Sequence, residues 1–365
     1  MYKYLKVYLL RLEKEEYCMK NSIQLLEESI ADKIKNYQKH LNYWEFDDRH
    51  VDIWIKQFPE EEREIVLTET DSLLAHNYIK KGKIKEFFEE IWDTKEIMGE
   101  NPIMSLNQIQ FLDIQTKGHS QNRLIDLLEE YYQETKGAAI NRSNHKDIKK
   151  YIYIDDCMYT GFTLMKDIYN WVDNMNPNSN TQLDVIFLGE YNGNLDYVKG
   201  RLITKCNEKK IAVKIYWMYE YNNNLHYAPP YDVLWPQYMD DDEYVNSYVQ
   251  YMEEQKKNTG KGGLGFRNSC PSKESNLFTS SYNRAVLEKA LLKKGAYICS
   301  LPQNCNERMK PMGYSHGISL GYGAFFATCY NISNNCPLAF WWGNLSSSPS
   351  ETLGKWYPLL PREVN

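Results

Sequence analysis

The sequence predicts an α/β fold: a parallel sheet alternating with helices, preceded by a helical region and followed by an α+β extension. Three observations predict it. Between about residues 104 and 220, short apolar runs of strand length alternate with amphipathic stretches of helix length. Those runs are nearly continuous in apolar residues, as strands covered on both faces must be. Before residue 100, apolar residues recur instead at three- and four-residue steps, the spacing of one helix face.

Taken in order, the helical region spans residues 1–100. Asn21 and Ser22 can cap a helix whose face carries Ile23, Leu26, Ile30, Ile34, Tyr37 and Leu41. Val51, Trp54, Ile55 and Phe58 mark a second helix, and Pro59 ends it or opens the next one. EEEREIVLTETDSLLAHNYI opens with acids suited to the positive end of a helix dipole, and KIKEFFEEIW closes the region. The α/β core spans 101–236. Its strands are QIQFLDI (108–114), YIYID (151–155), LDVIFLG (183–189) and IAVKIYWMY (211–219). Helices over 119–133, 163–175 and 195–206 separate them. The extension spans 237–365. It contains a helix that Asp240 to Glu243 begin as a solvated acidic turn, and a second, YNRAVLEKALLKKG, that Gly295 ends as a C-cap.

Composition narrows the function. A net charge of −6 gives no whole-surface attraction for nucleic acid, although a local basic groove is compatible with it. No apolar run approaches the roughly 20 residues that span a bilayer, and the first residues show no small-residue cleavage site. A cytoplasmic protein is expected, with no membrane partner. The eight cysteines form no CxxC pair and no Cys/His ligand spacing, so reduced, buried thiols are expected rather than a zinc site.

The chemistry concentrates in Asp155-Asp156-Cys157-Met158-Tyr159-Thr160-Gly161-Phe162-Thr163, between a buried strand and a helix. In open parallel sheets, ligands bind beyond the carboxyl ends of the strands, where this segment lies. Amides at a helix N-terminus are unpaired and carry partial positive charge, so they can cradle a phosphate. Thr160 and Thr163 add hydroxyl donors, and Gly161 permits positive φ or close backbone approach. Two adjacent acids repel each other alone. They make sense as acceptors for sugar hydroxyls near a bound Mg²⁺, which prefers hard oxygen ligands. The plainer alternative is an acidic strand end and a threonine-capped helix in another doubly wound fold.

This segment resembles the PRPP-binding motif of type I phosphoribosyltransferases, which implies a Rossmann-like sheet of that type. The resemblance implies that Asp155 and Asp156 hold the ribose 2′- and 3′-hydroxyls, with Mg²⁺ beside them, and that Cys157 to Thr163 take the 5′-phosphate. In the family, an earlier strand-to-helix turn contacts pyrophosphate. Lys117, Gly118, His119 and Ser120 stand in the corresponding order here, and Lys117 becomes a catalytic candidate with the two aspartates. A Lys-Gly-His-Ser turn that merely caps the next helix is the alternative. Tyr159 and Phe162 depart from the family pattern, which has a small residue and a second glycine at these places.

A narrower resemblance is to the phosphoribosyltransferase-like proteins of bacterial conflict systems, including effectors encoded beside retron reverse transcriptases. VDIWIKQFPEEER, the IDDCMYTGFT loop and YNISNNCPLAFWWGN…WYPLLPR carry it, from about residue 50 to 362. It implies an anti-phage effector that binds PRPP or a related ribose-phosphate nucleotide and acts at the anomeric carbon. Arg362 would contact a phosphate, and Asn334, Asn335 and Trp342 would wall the pocket; a tight turn and aromatic filler are the alternative. His316 is an acid–base candidate. A second reading, of another class, is a catalytically silent nucleotide sensor or assembly module. Its helical region would dock on a reverse transcriptase with its RNA–DNA, or on another defence protein, with or without oligomerisation.

Overall fold

The computed structural model describes residues 21–39, 44–116, 118, 120–223, 231–260, 265–267, 275–302 and 309–362. The first helix, α1, covers residues 21–34. Helix α2 (Asp48–Ile55) is capped by Asp47, whose carboxylate accepts from His50 N at 2.9 Å. Helix α3 (Arg63–Asn77) runs into a two-residue strand, β1 (Tyr78–Ile79). Helices α4 (Lys81–Asp93), α5 (Lys95–Met98) and α6 (Pro102–Ser105) follow, and α6 leads through a short 3₁₀ turn to β2 (Ile109–Phe111).

From there strand and helix alternate: α7 (Ser120–Lys136), β3 (Lys150–Met158), α8 (Phe162–Asn174), β4 (Gln182–Tyr191), α9 (Leu195–Asn207) and β5 (Ala212–Tyr221). The four strands form one parallel sheet in the order β2-β3-β4-β5. One face packs on α8 and α9: Tyr151, Tyr153, Leu183, Val185 and Phe187 meet Leu164, Ile168, Trp171, Val198 and Leu202 in one core. Helix α7 lies along β3, and its buried Leu124, Ile125 and Leu128 are not part of that core. The observed α/β architecture with a parallel sheet is the one the sequence predicts, and each core strand and helix falls where the apolar pattern puts it.

After β5 come α10 (Glu243–Thr259), α11 (Ser281–Ser300), β6 (Ala327–Thr328) and α12 (Leu338–Trp341). Asp242 caps α10 by accepting from Tyr244 N and Val245 N, so the acidic turn begins this helix as expected. The expected C-cap at Gly295 is corrected: α11 continues to Ser300. Gly295 is interior because a Cβ there would sit 2.4 Å from Pro311 O, so bare backbone is needed for close packing, not for a stop.

The chain forms two compact units. One contains α4 to β5, from Lys80 through Asn223; the other joins the described residues up to Ile79 with those from Tyr231 on. Within this second unit β1 pairs with β6 in parallel. Trp54 and Trp356 both donate to Ala339 O at 3.0 Å, and His50 lies between Tyr357 Oη and Leu359 O, 2.8 Å from each. The five described cysteines, at 157, 206, 299, 329 and 336, are buried. No helix among the described residues is long and apolar enough to cross a membrane.

Candidate functional site

Strand β3 is the second of four, so Tyr151 to Ile154 are wholly buried and Asp155 is driven inside with them. A buried carboxyl needs partners, and Asp155 has four. Its Oδ1 accepts from Ser120 Oγ at 2.8 Å and from Asp156 N at 2.9 Å. Its Oδ2 accepts from Gln115 Nε2 at 3.3 Å and from Tyr153 Oη at 3.4 Å. Burial first, and then repulsion from Asp156, raise its carboxyl above the usual carboxylate range. Asp156 is only half-buried, and its Oδ1 accepts from Cys157 N at 2.6 Å.

The turn from β3 to α8 is governed by Gly161. Its φ of 72° lies in the left-handed region, and it caps α8. A Cβ at this position would approach Val198 Cγ2 of α9 to 2.3 Å. Glycine is thus required twice, for the conformation and for the close packing of α9. The hydroxyls of Thr160 and Thr163 have no hydrogen-bond partner among the described residues. Tyr159, a departure from the family pattern, turns its ring onto Tyr191 (centroids 5.5 Å apart, planes at 22°). Phe162, the other departure, keeps 48% of its surface exposed in the first turn of α8. Cys157 and Met158 are buried residues of β3.

The β2–α7 turn is brought beside this strand end. Gln121 Oε1 accepts from Ile114 N (3.0 Å) and Gln115 N (2.8 Å), so the turn is folded around one glutamine. Gln115 and Ser120 then fasten it to Asp155. From the other side Asp167 of α8, buried and raised in pKa by that burial, accepts from Thr116 N (3.4 Å) and Thr116 Oγ1 (3.3 Å). Gly118 takes a φ of 88° in this turn. The expected positions Lys117 and His119 lie outside the described residues.

Arg362 belongs to the other unit. Its Nε donates to Ile332 O at 3.2 Å, and its guanidinium lies 5.8 Å from the Trp341 ring centre. Asn335 is buried in a turn, with Nδ2 donating to Tyr314 O at 2.7 Å, and Asn334 O accepts from Tyr314 N at 2.7 Å. Trp342 is buried, and His316 packs edge-on against Tyr314.

Sequence reasoning missed Gln115, Gln121, Tyr153 and Asp167, which shape the site rather than face a ligand. It also missed Glu190, at the carboxyl end of β4. An acid directly after the apolar run VIFLG, at the end where α/β sheets bind ligands, was the available signal. Among the described residues no group of three or more His, Cys, Asp or Glu could hold a metal ion.

No curated protein and no solved structure matches this chain. The PRTase-CE family model matches residues 51–362, which include the β3–α8 turn, the β2–α7 turn and all four strands of the sheet. With most of its length matched, and an α/β core of parallel strands to carry the match, the chain belongs to the PRTase-CE family and is a phosphoribosyltransferase-like protein.

Proposed function

We propose that the carboxyl end of the β2–β5 sheet binds a ribose 5-phosphate moiety, as PRPP or as a nucleotide, and that the chain acts on the bond at the anomeric carbon. One observation carries this reading. Directly after Asp155 and Asp156, Gly161 heads α8 in the left-handed region, flanked by threonine hydroxyls without partners among the described residues. A phosphate dianion there would accept from loop amides and both hydroxyls at the positive end of the α8 dipole. Asp156 takes a ribose hydroxyl. Asp155 holds the β2–α7 turn, and Lys117, Gly118, His119 and Ser120 are the residues of that turn assigned to the departing group from their order in the sequence.

Catalysis on this reading is electrostatic and positional: donors fixed in advance at the phosphate and at the leaving group, and a sugar oriented for oxocarbenium-like bond breaking. Mg²⁺, when bound, neutralises a diphosphate leaving group. Asp155 is a poor direct ligand for it, because four donors already occupy its oxygens, so Asp156 is the carboxylate that fits. An anti-phage setting, beside a retron reverse transcriptase, is supported by the three resembling segments, all within residues 51–362. A reverse transcriptase gene next to this one is the observation that checks it.

The saturation of Asp155 also favours a second reading, a sensor that binds the nucleotide without turnover. Titration with ribose 5-phosphate and with Mg²⁺–PRPP, followed by a pyrophosphate-release assay, separates the two. Binding with release is expected of the enzyme, and binding without release of the sensor. No binding of either ligand overturns both.

A further inference from the structure

Strand β4 ends in Gly189-Glu190-Tyr191, and Glu190 is completely buried. Neither of its carboxyl oxygens has a hydrogen-bond partner among the described residues. The other buried acid of the strand has a partner for its charge: Asp184 Oδ2 forms an ion pair with Lys150 Nζ at 3.1 Å, and Oδ1 accepts from Gln182 Nε2 at 2.6 Å. A buried carboxyl with both oxygens unmet is a standing cost that folding alone gives no reason to keep. In α/β enzymes such groups concentrate where a ligand completes them.

Its place in the sheet says which ligand. Met158, Glu190 and Glu220 are register partners across β3, β4 and β5, in the last rows before the loops. Partners in a parallel sheet project to one face, as do residues two apart along a strand. Glu190 and Glu220 therefore share a face at the carboxyl end of the sheet, beside the strand whose Asp156 opens the phosphate loop. Glu220 is exposed and already accepts from Asn192 Nδ2 at 3.0 Å and Trp217 Nε1 at 3.3 Å. Burial, and repulsion from Glu220, push the Glu190 carboxyl up to about 8, so at neutral pH it offers one O–H donor and one C=O acceptor side by side. Glu220 beside the Glu190 carboxyl disfavours a second phosphate group there. The carboxyl suits a neutral ring with an amino donor next to a ring-nitrogen acceptor.

We propose that Glu190 is a ligand-binding carboxyl of this site and pairs with the amino-bearing edge of a nucleobase on C1′ of ribose 5-phosphate, which makes a nucleoside 5′-monophosphate the ligand class. The proposal rests on the reading of the β3–α8 turn as the ribose-phosphate site. Two hydrogen bonds to the base satisfy both oxygens.

The test is titration calorimetry of the full chain and its Glu190→Leu and Glu190→Gln variants with ribose 5-phosphate, AMP and CMP, probes whose bases do not titrate between pH 7 and 9. Wild type is expected to bind AMP or CMP at least about tenfold more tightly than ribose 5-phosphate. Glu190→Leu should lose that increment, keep ribose 5-phosphate binding within about twofold, and melt at a higher temperature, because an unmet buried carboxyl is gone. Glu190→Gln keeps one donor and one acceptor and should retain the increment. From pH 7 to 9 the increment should fade in wild type as Glu190 ionises, and persist in Glu190→Gln, a comparison that stands even if the leucine variant does not fold. Absence of any base-dependent increment, equal losses for all three ligands, or a pH response shared by the glutamine variant overturns the role of Glu190. If wild type fails to bind ribose 5-phosphate, the phosphate-loop reading falls instead.

Discussion

Asp155 and Asp156 are neighbours in sequence with opposite surroundings, and the difference follows from strand alternation. Asp155 points into the sheet core and is met by Ser120, Gln115, Tyr153 and a backbone amide, whereas Asp156 is half-buried. Asp155→Ala should therefore lower the melting temperature, since it leaves buried donors unmet at about 1–3 kcal/mol each. Asp156→Ala should leave melting nearly unchanged and weaken ribose 5-phosphate binding about tenfold or more by calorimetry. The reverse pattern would exchange their roles. The pH dependence of stability belongs to this scale too. Glu190 has a folded-state pKa of about 8, above its unfolded value, so the native state holds the proton more tightly. Its contribution is complete below its unfolded value and declines as pH rises to about 8. Melting temperature should fall across that window, and fall less in Glu190→Gln, which has no proton to lose.

Helix α8 begins where it does because Gly161 can adopt a left-handed conformation under the Val198 side chain. A valine at 161 would not serve as a test of phosphate entry, because it would collide with α9 before any ligand arrived. Gly161→Ala should cost roughly 1–2 kcal/mol for the left-handed backbone alone, with a further loss from the clash. Combining it with Val198→Ala should recover the clash share, as non-additivity in denaturant unfolding. Gly295 in α11 is the opposite case. Alanine there gains about 1 kcal/mol of helix propensity, yet its Cβ meets Pro311 O at 2.4 Å. Gly295→Ala should destabilise the protein on balance, and a raised melting temperature would show that α11 can move aside. Both glycines are visible in the sequence: Gly161 is read there as a left-handed or close-approach position and is both, whereas Gly295 is read as a cap and lies inside α11. Next to a helix pattern a glycine reads as a cap, and only the neighbouring chain shows whether it is needed for φ or for contact.

At the scale of the molecule, the described residues up to Ile79 and those from Tyr231 on form one unit, and the sheet from β2 to β5 belongs to the other. Arg362 lies in the first, bonded to Ile332 O and set over Trp341. Arg362→Ala should lower the stability of that unit by about 1–2 kcal/mol through these contacts. Unchanged melting with weakened ribose 5-phosphate binding would instead return it to the phosphate role that the family resemblance implies. The sequence by itself determined the parallel sheet, the order of its strands and helices, and the aspartate-pair and threonine-glycine turn, because apolar periodicity and turn chemistry are local properties of the chain. Only the tertiary structure decided that β1 pairs with β6, that Gln115, Ser120 and Asp167 fasten two turns together through Asp155, and that Glu190 is buried without a partner. Those facts depend on which residues, far apart along the chain, are brought within a few ångströms, and no local pattern encodes a distance between segments.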